Sequence, residues 1–343
     1  MKNQFMKRQS GITLVALVVT IVVLLILAGI TIMYTMGDNS IFKKAQEAKE
    51  KTDQAIKNEQ NYLENLANRL EEEYGTNQTT PIGPMDVPIE SIKSDWATIE
   101  KIAKEIAKDD TITSDTGEVK VVIDGKRYTI KPGDIFEVEY NGEVRRVRVL
   151  GFKHDDLVDK TVYGGTHEKA SISFEFLDFM TGDTYKQMNT TNTNENGWGA
   201  TAMRTFLNGT EGKDKLNNKA YIKQVKKKYI ATYNDASSVT TCNDYLWLLA
   251  SSEMVPKNSD NTRYGVALTS EGSQYKYYQG VTETHNNPSE NRAKTTSVGN
   301  ENWYWIRSPY GDNTDTFCTF DYDGSSDYNG ASRNGGVAPG FCI

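Results

Sequence analysis

An uncharged apolar run from Ile12 to Tyr34 constrains this chain more than any other feature. Its 23 residues would make, at ~1.5 Å rise per residue, a helix of roughly 35 Å. The hydrocarbon core of a bilayer is ~30 Å thick, so the sequence predicts a membrane-spanning helix over residues 12–36. The leader before it, residues 1–11, carries Lys2, Lys7 and Arg8 and no acid. An ordinary secretory signal is cleaved after its apolar region, behind small residues. Ala28-Gly29-Ile30 and Thr31-Ile32-Met33 fit that pattern poorly.

A basic leader that ends in glycine just before the apolar helix resembles a type IV prepilin leader, with Gly11-Ile12-Thr13-Leu14 at the junction. The resemblance implies cleavage after Gly11 by a membrane-bound prepilin peptidase and methylation of the new terminus at Ile12. It also implies other pilin-like subunits as partners. One departure concerns the fifth mature residue, usually Glu in that family and here Ala16. A mid-membrane carboxylate costs ~2.5 to 3.5 kcal/mol unless paired, and Ala16 removes both cost and pairing. The expectation is therefore a minor or tip subunit; an uncleaved signal anchor is the alternative. On either reading the rest of the chain would stand outside the membrane as an extracellular head.

Net charge is −7, and −10 once Lys2, Lys7 and Arg8 are removed with the leader. Such a surface argues against nucleic acid as a partner. The three cysteines, Cys242, Cys318 and Cys342, are too few for a disulfide framework. Cys318 and Cys342 lie in apolar, strand-like runs and are either a bonded pair or two small buried hydrophobes.

The fold class expected is α+β: a long pilin-like transmembrane helix, then an α+β head with antiparallel hairpins. Ile41, Ala45, Ala48, Ala55, Ile56, Leu63, Leu66 and Leu70 recur at near-helical spacing, predicting an amphipathic helix over residues 37–74. Residues 75–89, rich in Thr, Asn, Gly and Pro, read as a linker, and residues 90–343 as the head. Ile92, Trp96, Ile99, Ala103 and Ile106 mark one face of a helix from Glu90 to Lys108. The apolar period then shortens to two on either side of Asp124-Gly125 and of Asn141-Gly142. Those pairs supply the positive φ angles of two-residue turns, which predicts two successive hairpins. A short helix closed by Gly209, a helix over Ala220 to Ile230 and a strand over Tyr245 to Leu249 complete the expectation.

A second resemblance rests on Trp198 to Gly209, Leu246-Trp247-Leu248-Leu249-Ala250-Ser251-Ser252-Glu253, Trp305-Ile306-Arg307-Ser308-Pro309 and Gly336-Val337-Ala338-Pro339-Gly340-Phe341. The order resembles a bacterial domain family of unassigned function that commonly follows pilin-like anchors. More loosely, residues 144–343 are similar to the C-type-lectin-like fold of sulfatase-modifying enzymes and of the variable proteins of diversity-generating retroelements. The paired active-site cysteines of the former and the Glu-Pro-Asn or Gln-Pro-Asp motif of true lectins are both missing from the sequence.

The three histidines, His154, His167 and His285, are not at metal-ligand spacing, so neither a metal nor another cofactor is expected, nor a catalytic residue. His154-Asp155-Asp156 reads as a solvated turn, and Arg307, set among Trp303, Tyr304, Trp305 and Ile306, as a structural residue with a buried partner. What remains is the stretch Tyr310 to Asn334. It crowds Tyr310, Asp312, Asn313, Asp321, Tyr322, Asp323, Ser326, Asp327, Tyr328, Asn329 and Arg333 between two apolar strands. Tyrosine offers large contact area at small entropic cost, and Ser and Asn offer adaptable hydrogen bonds. In the variable lectin-like proteins the matching stretch is the ligand-binding face, which implies the same for these residues. A wet, turn-rich meander would have the same composition. The expectation is a non-enzymatic, adhesive head for a surface ligand, protein or glycan. A pseudopilin of a secretion or DNA-uptake apparatus and an anchored enzyme are the alternatives.

Overall fold

The computed structural model describes residues 83–256, 264–280, 288–295 and 302–343, together with residues 21–23, 49, 51–52, 57 and 63. The chain divides into two units, Met1–Ile82 and Gly83–Ile343. In the first, the few described residues are helical, and Ile21, Val22 and Val23 are exposed. The leader, Gly11, Ile12 and nearly all of the predicted helices over 12–36 and 37–74 lie outside the described residues.

The expected fold class and location need correction here. No helix among the described residues is long and apolar enough to cross a membrane. The membrane anchor, and the extracellular placement that depended on it, are therefore not shown. What the structure shows is an α+β fold with several antiparallel sheets.

The second unit opens with strand β1 (Met85–Val87) and, after a 3-10 turn at Ile89–Ser91, helix α1 (Trp96–Lys108). Asp95 caps α1 by accepting from Thr98 N at 3.1 Å. The face bearing Ile99, Ile102, Ala103 and Ile106 is buried, as its spacing requires. Strands β2 (Val119–Ile123) and β3 (Lys126–Ile130) form the first hairpin, and β4 (Ile135–Tyr140) and β5 (Glu143–Phe152) the second. Asp124, Gly125, Asn141 and Gly142 all take positive φ at the turns, as predicted. Then come β6 (Asp156–Leu157), β7 (Ile172–Phe176), β8 (Lys186–Gln187) and helix α2 (Ala202–Asn208), which ends at Gly209.

The segment expected to be a helix from Ala220 to Ile230 is instead strand β9 (Val225–Ile230), paired along its length with β10 (Val239–Asp244). Of the strand predicted over Tyr245 to Leu249, only β11 (Trp247–Leu248) forms. Three single-turn helices follow, α3 (Ser251–Met254), α4 (Ala267–Ser270) and α5 (Lys276–Gln279). The chain ends in β12 (Tyr304–Pro309), β13 (Thr316–Phe320), β14 (Ser326–Gly330), β15 (Asn334–Gly335) and β16 (Pro339–Cys342).

The central sheet runs β11-β16-β7-β5-β4. Its Phe174 and Phe341 stack at 5.2 Å, and Trp96 of α1 meets both edge-on at 5.5 and 5.7 Å. This aromatic cluster fastens α1 to the sheet. Two three-stranded sheets, β6-β9-β10 and β12-β13-β14, carry Lys227 and Arg307 respectively, while the central sheet carries Arg148 and Glu175.

Candidate functional site

β13 and β14 form a hairpin in full register, from Thr316 opposite Gly330 to Phe320 opposite Ser326. Strand partners share a face, so Tyr328 lies on the face of Cys318. Its ring stacks on that of Tyr310, with centroids 4.1 Å apart and planes 16° from parallel. Tyr328 is 41% exposed and Tyr322, in the turn of the hairpin, 56%. Most other large aromatic side chains of this unit are buried, so these rings stand out. Asp312 and Arg333 are exposed nearby, while Asp321 and Asp327 are half-buried.

Four of the predicted contact residues serve the hairpin itself. The Asp323 carboxylate accepts from Ser325 N at 2.9 Å and Ser325 Oγ at 2.6 Å, and these bonds lower its pKa. The Asn313 side-chain oxygen accepts from Thr316 N and Oγ1 at 3.1 and 2.5 Å, closing the loop before β13. Asn329 is buried and accepts from Arg333 at 3.1 Å. Ser326 is buried as well. At the turn, Gly324 has φ +76°, and a Cβ there would sit 2.1 Å from the Ser289 carbonyl oxygen, so only glycine fits.

Beside the base of the hairpin is a polar cleft of about 360 Å³, reached by Thr314 and lined by Asn192, Asn194, Asn196, Thr232 and Tyr233. Asn192 ties it to the hairpin by accepting from Ser332 N at 3.0 Å and Ser332 Oγ at 2.6 Å. Asn194 does so by donating to the Asn313 and Thr316 carbonyls at 2.8 and 2.9 Å. The loop between β12 and β13 thus carries both Tyr310, of the tyrosine stack, and Thr314, of the asparagine-lined cleft.

The same unit contains three buried charge clusters. In the first, Lys227 Nζ of β9 donates to Asp155 Oδ1 and Glu253 Oε1, both at 2.6 Å, and to Tyr275 OH at 3.1 Å. Arg307 of β12 grips Glu253 with two bonds of 2.6 and 2.9 Å. Burial disfavours the charged forms, yet the mutual attraction prevails: Lys227 is raised, Glu253 lowered and Asp155 held well below its ordinary value. Glu271 accepts from Ile230 N at 3.0 Å and bonds Ser308 Oγ; burial pushes its pKa up to about 7.

In the second cluster, Glu175 of β7 accepts from Arg148 at 2.6 Å, Lys294 at 2.7 Å and Tyr278 OH at 2.8 Å. Burial lowers Lys294 to about 8 despite that partner. In the third, Asp244 accepts from Trp198 Nε1 at 2.8 Å and Arg204 Nε at 2.7 Å. Arg307 therefore has the buried partner its sequence context requires. The solvated turn expected at His154-Asp155-Asp156 is corrected in its first two residues: Asp155 is 4% exposed, and the His154 side chain, 8% exposed, lies with its ring 4.0 Å from that of Tyr275.

No disulfide joins Cys318 and Cys342. They lie on β13 and β16, in different sheets. Cys318 Sγ bonds the Pro309 carbonyl at 3.6 Å, and Cys342 Sγ lies 3.4 Å from Ser173 Oγ. Among the described residues no group of three or more His, Cys, Asp or Glu side chains could hold a metal ion.

Residues 83–343 thus form an α+β module with an aromatic hairpin and a charge-braced frame. Residues 170–343, from β7 to the last strand, match a domain of unknown function, DUF6273, and the chain belongs to that family. No curated protein and no solved structure matches it.

Proposed function

We propose that residues 83–343 form a recognition module rather than a catalyst, and that the β13–β14 hairpin with the adjoining asparagine-lined cleft takes a protein or glycan ligand. The observation that carries this reading is the Tyr310–Tyr328 stack, Tyr328 being 41% exposed, together with Tyr322, 56% exposed in the turn of the same hairpin. Rigid aromatic rings next to amide and hydroxyl groups are the mixture that binding surfaces favour. The buried carboxylates Glu175 and Asp244 are each engaged by cations of the fold, as bracing groups are.

The test is capture of the full chain on arrays of immobilised glycans and proteins, followed by titration of whatever is captured. Hot-spot aromatics contribute about 2 kcal/mol or more when truncated, so Tyr328→Ala should weaken binding roughly thirtyfold. Binding that survives both Tyr322→Ala and Tyr328→Ala unchanged would place the ligand elsewhere.

A further inference from the structure

Lys227 is more than half of an ion pair. Its Nζ is 2.6 Å from Asp155 Oδ1 and 2.6 Å from Glu253 Oε1, and both carboxylates are fixed from behind. Asp155 Oδ2 accepts from Ser173 Oγ at 2.7 Å and Tyr275 OH at 2.9 Å. Glu253 is held by Arg307. All of these side chains are buried, and Lys227 Nζ lies 4.4 Å from the centroid of the Trp247 ring. An amine, a carboxyl carbon, two donors on one carboxyl oxygen and a proton carrier against the amine are the parts that amide formation needs.

We propose that Lys227 and Asp155 condense into an intramolecular isopeptide bond, with Glu253 carrying the proton. The ion pair first becomes neutral as one ammonium proton crosses the hydrogen bond to Asp155 Oδ1. The Lys227 amine then attacks Asp155 Cγ and forms the C–N bond. Charge gathers on Oδ2, where the Ser173 and Tyr275 hydroxyls already point. Glu253 takes a proton from the new C–N nitrogen and delivers it to the Oδ1 hydroxyl. The C–Oδ1 bond breaks, and one water leaves for each amide formed. No oxidant, reductant or cofactor enters the balance. A cleft of about 280 Å³ lined by Asp155, Lys227 and Glu253 gives the water its way out. Desolvation favours the step, because the buried ion pair is replaced by a neutral amide. The link would join β9 to the turn between β5 and β6, across 72 residues of sequence.

The test is the intact mass of the purified, denatured full chain, followed by peptide mapping. The expected mass is lower by one water than the sequence requires, with Lys227 and Asp155 in one branched peptide. The Lys227→Arg variant, which keeps the charge and loses the amine, should regain the full mass. If that variant does not fold, the branched peptide of the unaltered chain still decides the matter. The full sequence mass in the unaltered chain would overturn the proposal. So would a water lost without a branched peptide, as succinimide formation at Asp124-Gly125 or Asp323-Gly324 would give. A branch from Lys227 to Glu253 would equally overturn it.

Discussion

The hairpin of β13 and β14 and the cluster around Lys227 are built from the same kinds of residue, Asp, Tyr, Ser and a cation, and are put to opposite use. On the hairpin, Asp323 and Asn313 are satisfied within their own turns, by Ser325 and Thr316 two and three residues away. That leaves Tyr322 and Tyr328 facing solvent. Around Lys227 each bond spans the chain: Asp155 lies 72 residues before the lysine, Glu253 26 after it, and Arg307 54 beyond Glu253. Local bonds release a surface for binding, and long-range bonds bind distant segments into one frame. Substitutions should therefore separate the two regions, affinity falling in one and stability in the other.

The largest effect belongs to the frame. Arg307→Ala leaves Glu253 buried beside Lys227 alone, and losing one partner of a buried pair costs about 3–5 kcal/mol. The denaturant midpoint should fall accordingly, and a shift no larger than that of a surface variant would remove the contrast.

Next comes a pH effect. Burial raises Glu271 from an ordinary 4.5 to about 7, so the folded chain holds this proton more tightly than the unfolded one. The stability it contributes is complete below pH 4.5 and is lost as pH rises through 7. Each pKa unit corresponds to about 1.4 kcal/mol, so a shift from 4.5 to about 7 is an effect on the order of 3 kcal/mol. Stability of the unaltered chain followed between those pH values should show this loss, and Glu271→Gln should flatten it.

On the hairpin, Gly324→Ala forces a side chain into a left-handed turn against the Ser289 carbonyl. A cost on the order of 1–3 kcal/mol is expected, read as a lower melting temperature together with weakened ligand capture. The smallest stability effect should be that of Tyr322→Ala, within about 0.5 kcal/mol of the unaltered chain, although its affinity falls. A large loss of stability there would mean that the ring is part of the frame.

The features legible in the sequence are those fixed by neighbours along the chain. The period of Ile99, Ala103 and Ile106 showed α1, and Asp124-Gly125 and Asn141-Gly142 showed both hairpins. The six residues Val225 to Ile230 misled because three consecutive lysines resemble an exposed helix. In the strand Lys226 and Lys228 face outward, while Lys227 turns in and is 2% exposed. Asp155 and Glu253, remote in sequence, make that inward lysine tolerable. For the same reason Asp155 was indistinguishable from a solvated acid. At the candidate site, composition picked out the exposed tyrosines, but it could not separate them from Asn313 and Asp323, whose side chains are committed to the backbone of the turns. It also passed over Asn192 and Asn194, which come to the hairpin from a loop more than a hundred residues earlier.

The comparison of exposed and buried tyrosines can be read directly by nitration footprinting with and without the captured ligand. Tyr322 and Tyr328 should react in the ligand-free chain and be protected when it is bound, whereas Tyr275 and Tyr278, fully buried, should stay unreactive in both states. Protection that falls elsewhere and leaves Tyr322 and Tyr328 as reactive as before would contradict the assignment of the binding face.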